Sequence, residues 1–356
     1  MGGIGHAMRH LVDHLSTQAN GHQYVALLCA KPLENINWNG VELVQTESGM
    51  IDAEFEQIGL PNLLDELKID LYFNPTFSVP ALKTTAYQVA IIHDVVFEEK
   101  PQWVEPGLCD YLRRWARFAA NHADHIVTVS NHAKARIKQV YEVPENRITR
   151  IYNGIPKTAF QRPLGPEIVR ARKSFDLERD YILYLGSLET KKGIVELLEA
   201  FSSLSTSVFS GDLVLAGAGG HDIDLPAKLR KLGCESRVKL LGYVDESSKA
   251  SLMAGCELFV YPSWYEGFGL PPLEAMALGV PTLVSNLTSL PEVVGDAALV
   301  VDISNKDAFV DALRRGLTDK EFRGAARENG PRRASRFSWE IAAKQYSDLF
   351  DSVMGA

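Results

Sequence analysis

Residues 181–220 read YILYLGSLETKKGIVELLEAFSSLSTSVFSGDLVLAGAGG. An unbroken apolar run gives way to a polar turn with two lysines, then to a helical stretch containing Val195, Leu197 and Leu198, then to a second apolar run closing on glycines. Strands that are apolar throughout, with no alternation, are covered on both faces, and two of them joined through a helix make the βαβ unit of a parallel sheet. Working outward, the same signature recurs in YVALLCA (24–30), VAIIHDV (89–95), HIVTVS (125–130) and ELFVYPS (257–263), with amphipathic stretches between most of them. The expected class is α/β with doubly wound parallel sheets.

The chain has 356 residues. At roughly 150 residues per domain this predicts two domains. The segment KTAFQRPLGPEIVR (157–170), with Pro163, Gly165 and Pro166 and no sustained period, reads as the linker between them. A first domain over 1–162 and a second over 163–337 follow, each Rossmann-like, with a ligand cleft between them at the carboxyl ends of the strands. The last stretch places Ile341, Ala342, Tyr346, Leu349, Phe350 and Val353 at helical spacing after a capping Ser338. It predicts a closing helix over 338–356 that packs back on the first domain. At the other end GGIG (2–5) follows Met1 with no strand before it. Either the first strand of the first sheet is missing, which is the preferred reading, or the glycines form a flexible terminus.

Composition narrows the function. Hydrophobic residues make up 46% and charged residues 23%, enough apolar mass for two cores, which argues against disorder. A net charge of -8 disfavours nucleic acid as a partner. Cys29, Cys109, Cys234 and Cys256 are scattered without a CxxC pair, which suggests neither a disulfide framework nor a zinc site and fits the cytoplasm. No apolar run is long enough for a membrane span, so any membrane contact is expected to be peripheral. Arg113, Arg114 and Arg117 could form a basic stripe for anionic lipid headgroups or simply a solvated helix face. His6, His10 and His14 fall at helical spacing and read as a surface face in preference to a metal site.

Glu266 and Glu274 bracket GFGLPPL. Proline is at home in a first helical turn, so a helix is expected near Pro272 with Glu274 in its first turn and Gly279 past its end. The preceding Gly267, Phe268, Gly269 and Leu270 would offer backbone N–H groups at a positive helix end, a cradle for phosphate. The plainer alternative is that the glycines make a turn and Glu274 complements the helix dipole. In GSLETKKG (186–193), Lys191 and Lys192 follow a strand and either neutralise a diphosphate leaving group or lie solvated on the surface. The glycines of LAGAGG (215–220) read as a turn. His93, after VAII, stands at the carboxyl end of a first-domain strand, as a structural histidine or as part of a site converging across the cleft.

Taken together these residues resemble the retaining glycosyltransferases of the GT-B fold, family four, a group that includes bacterial mannosyltransferases of cell-surface polysaccharide assembly. The most specific part is residues 240–302, which carry the E-x7-E motif, Glu266 to Glu274. GGIG (2–5), IIHDVVFEEKP (91–101), VSNHAKARI (129–137), NGI (153–155) and GSLETKKG (186–193) recur in the family's order. The resemblance implies that Glu274 holds the ribose hydroxyls of the nucleotide. Glu266, Gly267 and the amides of Phe268, Gly269 and Leu270 would hold the donor sugar and phosphate. Lys192, with Lys191 beside it, would contact the diphosphate; Gly242, Tyr243 and Val244 would line the base pocket; Gly3 would touch the donor phosphate and His93 would face the sugar. Ser187 stands where many members carry arginine. His93, Glu266 and Lys192 are the expected catalytic residues, no metal or other cofactor is expected, and the partners are a nucleotide sugar and a glycan or lipid-linked oligosaccharide, with contact at the inner face of the membrane. GDP-mannose is the expected donor, partly on the SLPEV segment (289–293); UDP-glucose and dTDP-rhamnose stay open. An epimerase, a phosphorylase and a non-catalytic nucleotide-sugar-binding remnant are the competing readings.

Overall fold

The computed structural model describes residues 3–18, 21–28, 38, 40–46, 55–80, 83–219 and 222–355. Gly2, Cys29 and Gly220 lie outside the described residues. The chain forms two compact units, 1–154 with 339–356, and 155–338. Residues 155–162 thus belong with the second unit, for a local reason. The Ile155 N–H donates to the Phe337 carbonyl (3.0 Å), and Arg162 donates to the carbonyls of Leu278 (2.5 Å) and Ala254 (2.7 Å). The proline-rich segment read as a linker is structured in both halves, and Lys157–Phe160 form a 3-10 turn. Pro166 sits in the first turn of a helix, Gly165–Ser174, and Glu167 reaches back to accept from the Leu164 N–H (2.7 Å).

The first unit carries strands β1 (Tyr24–Leu28), β2 (Val41–Gln45), β3 (Leu71–Asn74), β4 (Tyr87–Ile91), β5 (His125–Thr128) and β6 (Ile148–Arg150). Where one sheet is expected, the described residues form two, a parallel β1-β2 pair and a parallel sheet in the order β3-β4-β5-β6. β2 and β3 are short and only partly buried, so neither stands out as an apolar run. The first described element is the helix Gly3–Leu15, whose Ala7, Leu11 and Leu15 are buried. It packs against the final helix, Trp339–Met354, where His10 stacks on Trp339 and His14 lies 3.8 Å from Glu340. The same final helix seats Tyr346 and Phe350 against Phe73 of β3 (ring centroids 5.3 and 5.4 Å). It therefore belongs to the first unit. Ile341, however, is 47% exposed while Ala343 is fully buried, and Ser338 bridges to Ile155.

The second unit is a single parallel sheet of β7 (Tyr181–Leu185), β8 (Asp212–Ala216), β9 (Val238–Gly242), β10 (Leu258–Tyr261), β11 (Thr282–Ser285) and β12 (Leu299–Val301), in the order β12-β11-β10-β7-β8-β9. The four inner strands are almost wholly buried, which is why they read as continuous apolar runs, whereas the edge strands β9 and β12 carry exposed residues. Strand order reverses between β7 and β10. In a doubly wound sheet the crevice beyond the carboxyl ends at that reversal is where ligands bind. Among the described residues no helix is long and apolar enough to cross a membrane.

Candidate active site

The loops leaving β7 and β10 carry the residues singled out by their sequence, and backbone contacts strap the two together. Gly193, which ends the lysine turn, has φ +70°, and a Cβ placed there would stand 1.9 Å from the Pro262 carbonyl oxygen, so only glycine fits. The Lys191 carbonyl accepts from the Trp264 N–H (2.8 Å) and the Ser263 hydroxyl (3.3 Å). Tyr184 and Tyr261 stack at 5.7 Å beneath the turn, and the Tyr184 hydroxyl donates to the Ser187 carbonyl (2.7 Å). The glycine turn after β8 is equally close-packed, since a Cβ on Gly217 would lie 1.8 Å from the Gly186 carbonyl oxygen.

This framework brings Lys192 Nζ to 2.6 Å from Glu266 Oε1, with side chains 14% and 12% exposed. Burial pulls the ammonium's proton affinity down, but Glu266 above all, with Tyr184, outweighs it, so Lys192 titrates above the ordinary lysine value. It stays charged. Lys191 diverges from it and pairs with Glu189 (3.0 Å). Glu266 is held through its backbone: its N–H donates to Thr288 Oγ1 (3.1 Å), and the buried Ser289 hydroxyl lies within 3.0 Å of the Glu266 carbonyl and 2.7 Å of the Phe268 carbonyl. The clamp on Glu266 escaped sequence reasoning, which singled out Ser289 only as the start of SLPEV and Thr288 not at all, because both come from the loop after β11 and a hydroxyl clamp leaves no periodic signal.

Gly269 has φ +115° and turns the chain into the helix Leu270–Ala277, which starts two residues earlier than the sequence suggests. Glu274 therefore stands in the second turn, and its expected place in the first turn is corrected: with the left-handed turn made at Gly269, Leu270, Pro271 and Pro272 form the opening turn. The two prolines have no N–H, so the positive helix end is presented by few amides. Among the described residues the N–H groups of Gly269 and Leu270 donate to no other group. Phe268 is buried and packs edge-on against Phe337, while Gly267 is half-buried.

Glu274 Oε1 lies 2.7 Å from Lys249 Nζ, which also bonds Glu246 at 2.7 Å. Burial raises the Glu274 carboxyl above its usual range, and Lys249 opposes the rise. Lys249 is a second residue that sequence reading missed. It comes from the helix Glu246–Gly255, capped by the Asp245 carboxylate, and nothing in its local pattern points to a partner 25 residues away. Gly242 ends β9 with φ +68°, Tyr243 is 77% exposed, and Val244 packs against the core.

In the first unit His93 follows β4 and is only 9% exposed. Its Nε2 lies 3.0 Å from the Pro75 carbonyl. A carbonyl only accepts, so Nε2 carries the proton and Nδ1 keeps its lone pair. Burial lowers the imidazole's proton affinity despite that bond, which makes it the neutral ring at neutral pH. Gly3 opens the first helix. Of the proposed basic stripe, Arg113 and Arg117 turn to Glu98 (3.4 and 3.1 Å).

Residues 1–158 match the family profile described as Glycosyltransferase Family 4, and residues 167–333 that of Glycosyl transferases group 1. O-antigen chain mannosyltransferase B of Escherichia coli is 34% identical over 286 residues, 79% of this chain and 74% of that protein. The serotype-specific mannosyltransferase WbdA of Escherichia coli is 27% identical over 78% of this chain, which spans only 35% of that longer protein. Among solved structures, HepE of Anabaena in complex with UDP-glucose superposes with a TM-score of 0.79 at 18% identity, covering 99% of this chain and 96% of that one. WaaG, a glycosyltransferase involved in lipopolysaccharide biosynthesis, gives 0.74 at 21% identity, covering 98% and 96%. The chain is a glycosyltransferase of the GT-B fold and belongs to glycosyltransferase family 4.

Proposed function

We propose that this enzyme transfers mannose from GDP-mannose, with retention of anomeric configuration, to a hydroxyl of a glycan or lipid-linked oligosaccharide met at the inner face of the membrane. The observation that carries the reading is the largely buried Lys192–Glu266 pair at the strand reversal, beside a helix end with unengaged amides. A departing nucleoside diphosphate needs positive charge where its own charge develops, and preorganised donors supply it without reorganisation. Lys192 and the amides of Gly269 and Leu270 take that role. Glu266 orients the sugar hydroxyls, Glu274 the ribose, and Tyr243 and Val244 border the base. The acceptor hydroxyl attacks from the face the diphosphate leaves, and the departing phosphate accepts its proton, so neither glutamate is a nucleophile. Neutral His93 offers Nδ1 as an acceptor to a donor-sugar hydroxyl. The mannosyl assignment rests on the names of the relatives.

The test is nucleotide release and product analysis with GDP-mannose, UDP-glucose and dTDP-rhamnose, each with and without EDTA. The expected outcome is acceptor-dependent GDP release that EDTA leaves unchanged, with an α-linked product by NMR. Preference for another donor would overturn the mannosyl reading. Conversion of donor to an isomer without acceptor would make the protein an epimerase, and loss of activity in EDTA would remove lysine and helix end as the sufficient source of charge.

A further inference from the structure

We propose that Lys249 is a positioning residue of the donor site, which holds Glu274 ionised and fixed in place so that its carboxylate can accept both ribose hydroxyls of a nucleotide. The inference rests on the reading of Glu274 as the ribose ligand and adds to it a residue from a different element.

Glu274 and Lys249 approach from two helices, Leu270–Ala277 and Glu246–Gly255, and meet at 2.7 Å with side chains 18% and 19% exposed. The second helix is anchored independently of this pair. Asp245 caps it, accepting from the Ser248 N–H (2.8 Å), the Tyr181 hydroxyl donates to the Leu252 carbonyl (2.8 Å), and Leu252, Met253 and Ala254 are buried. Lys249 is thus delivered to Glu274 from a fixed base. Glu246, its other partner, is 69% exposed and well solvated, so it does not compete strongly for the ammonium.

The chemistry explains why such a residue is needed. A vicinal diol donates two hydrogen bonds, and an ionised carboxylate has acceptor sites enough for both and for an ammonium as well. The protonated acid has a donor of its own and loses acceptor capacity. Burial drives Glu274 toward that protonated form, and Lys249 is the cation opposing it; Glu246, of like charge, adds to the rise. Tyr261 of β10 also lies close enough to Glu274 to feel its charge, and its own burial keeps it neutral. The helix Lys320–Ala334, packed on the same helix, meets it through Gly330 at Met276 and through the Arg327 backbone at Gly279.

The experiment is calorimetric titration of the full chain with GDP and UDP, from about pH 5.5 to about pH 8.5, in the wild type and the Lys249→Met, Lys249→Arg, Glu246→Gln and Glu274→Gln variants. In Lys249→Met the folded-state value of Glu274 rises further, so its carboxylate is lost as pH falls. Affinity for the preferred nucleotide is expected to drop about tenfold for each unit by which that value exceeds the pH and to recover toward pH 8.5. The wild type, Lys249→Arg and Glu246→Gln should stay nearly level. In turnover, Lys249→Met should raise the donor KM and leave kcat close to wild type. Lys249→Gln serves as the second variant if the methionine lowers the melting temperature. If Glu274→Gln binds nucleotide as tightly as the wild type, the ribose reading itself falls. If Glu274→Gln weakens binding while Lys249→Met and Lys249→Gln keep wild-type affinity and pH profile, the role of Lys249 alone is overturned.

Discussion

In the proposed reaction an ammonium 2.6 Å from a carboxylate, both largely withdrawn from water, has a second anion to serve when a diphosphate arrives. Lys192 can serve both because its three N–H donors fan out from one nitrogen. Lys192→Ala removes charge made available to the leaving group, and a loss of about 10²–10³ in kcat, or about 3–4 kcal/mol, is expected in a GDP-release assay. The pH dependence has a definite sign. The folded-state value of Lys192 is raised, so the stability it contributes is fully present below the ordinary lysine value and is lost only as pH rises through the higher folded value. Lys192 should therefore leave no inflection in thermal stability or donor KM between about pH 7 and about pH 9. His93 is the contrasting case, since burial has already made it neutral, and the Pro75 carbonyl fixes Nε2 as its donor and leaves Nδ1 an acceptor.

At the scale of elements, the site depends on loops that bring side chains from separate strands to one point. The β7 and β10 loops meet at Gly193, where the left-handed backbone and the Pro262 carbonyl both exclude a side chain. Gly193→Ala forces a residue with a Cβ into that conformation, at about 1–3 kcal/mol before any clash is counted. The clash itself must push the two loops apart. Both the melting temperature and the nucleotide affinity should fall in Gly193→Ala, the first by calorimetric melting and the second by titration; unchanged nucleotide affinity would show that the strap does not set the site. The start of the helix Leu270–Ala277 is constrained chiefly by backbone conformation, since Gly269 has φ +115° and a Cβ there would meet only the tip of the Leu290 side chain, at 2.7 Å.

At the scale of the whole molecule, the two units differ in how the chain builds them. Residues 155–338 are contiguous and enclose their own core around Tyr181, Phe201, Phe259 and Phe309. The first unit is completed only by residues 339–356, which contribute the buried Trp339, Tyr346 and Phe350. Each such side chain contributes about 1.5–3 kcal/mol on burial, against a total stability of about 5–15 kcal/mol for a typical domain. An excised 155–338 fragment should melt cooperatively and bind the same nucleotide as the full chain. Truncation after Ser338 should abolish the cooperative melt of the first unit while the second keeps its own, as followed by far-UV circular dichroism.

The sequence by itself determined the α/β class, the inner strands β7, β8 and β10, and the placing of Lys192, Glu266 and His93 at strand ends. A strand buried on both faces must be apolar at every position, and the polar residue that follows marks its carboxyl edge. The same logic fails at β9 and β12, because edge strands mix exposed and buried positions, and at β2, which has no fully buried position. Only the tertiary structure decided the start of the Glu274 helix, which a left-handed glycine moved forward, and the division of the first unit's strands into two sheets. It alone disclosed the partnership of Glu274 with Lys249 and of Glu266 with Thr288 and Ser289. Those contacts join segments more than 20 residues apart, and a hydrogen bond across such a distance imposes no local pattern on the chain; it exists only once the strands between have been ordered.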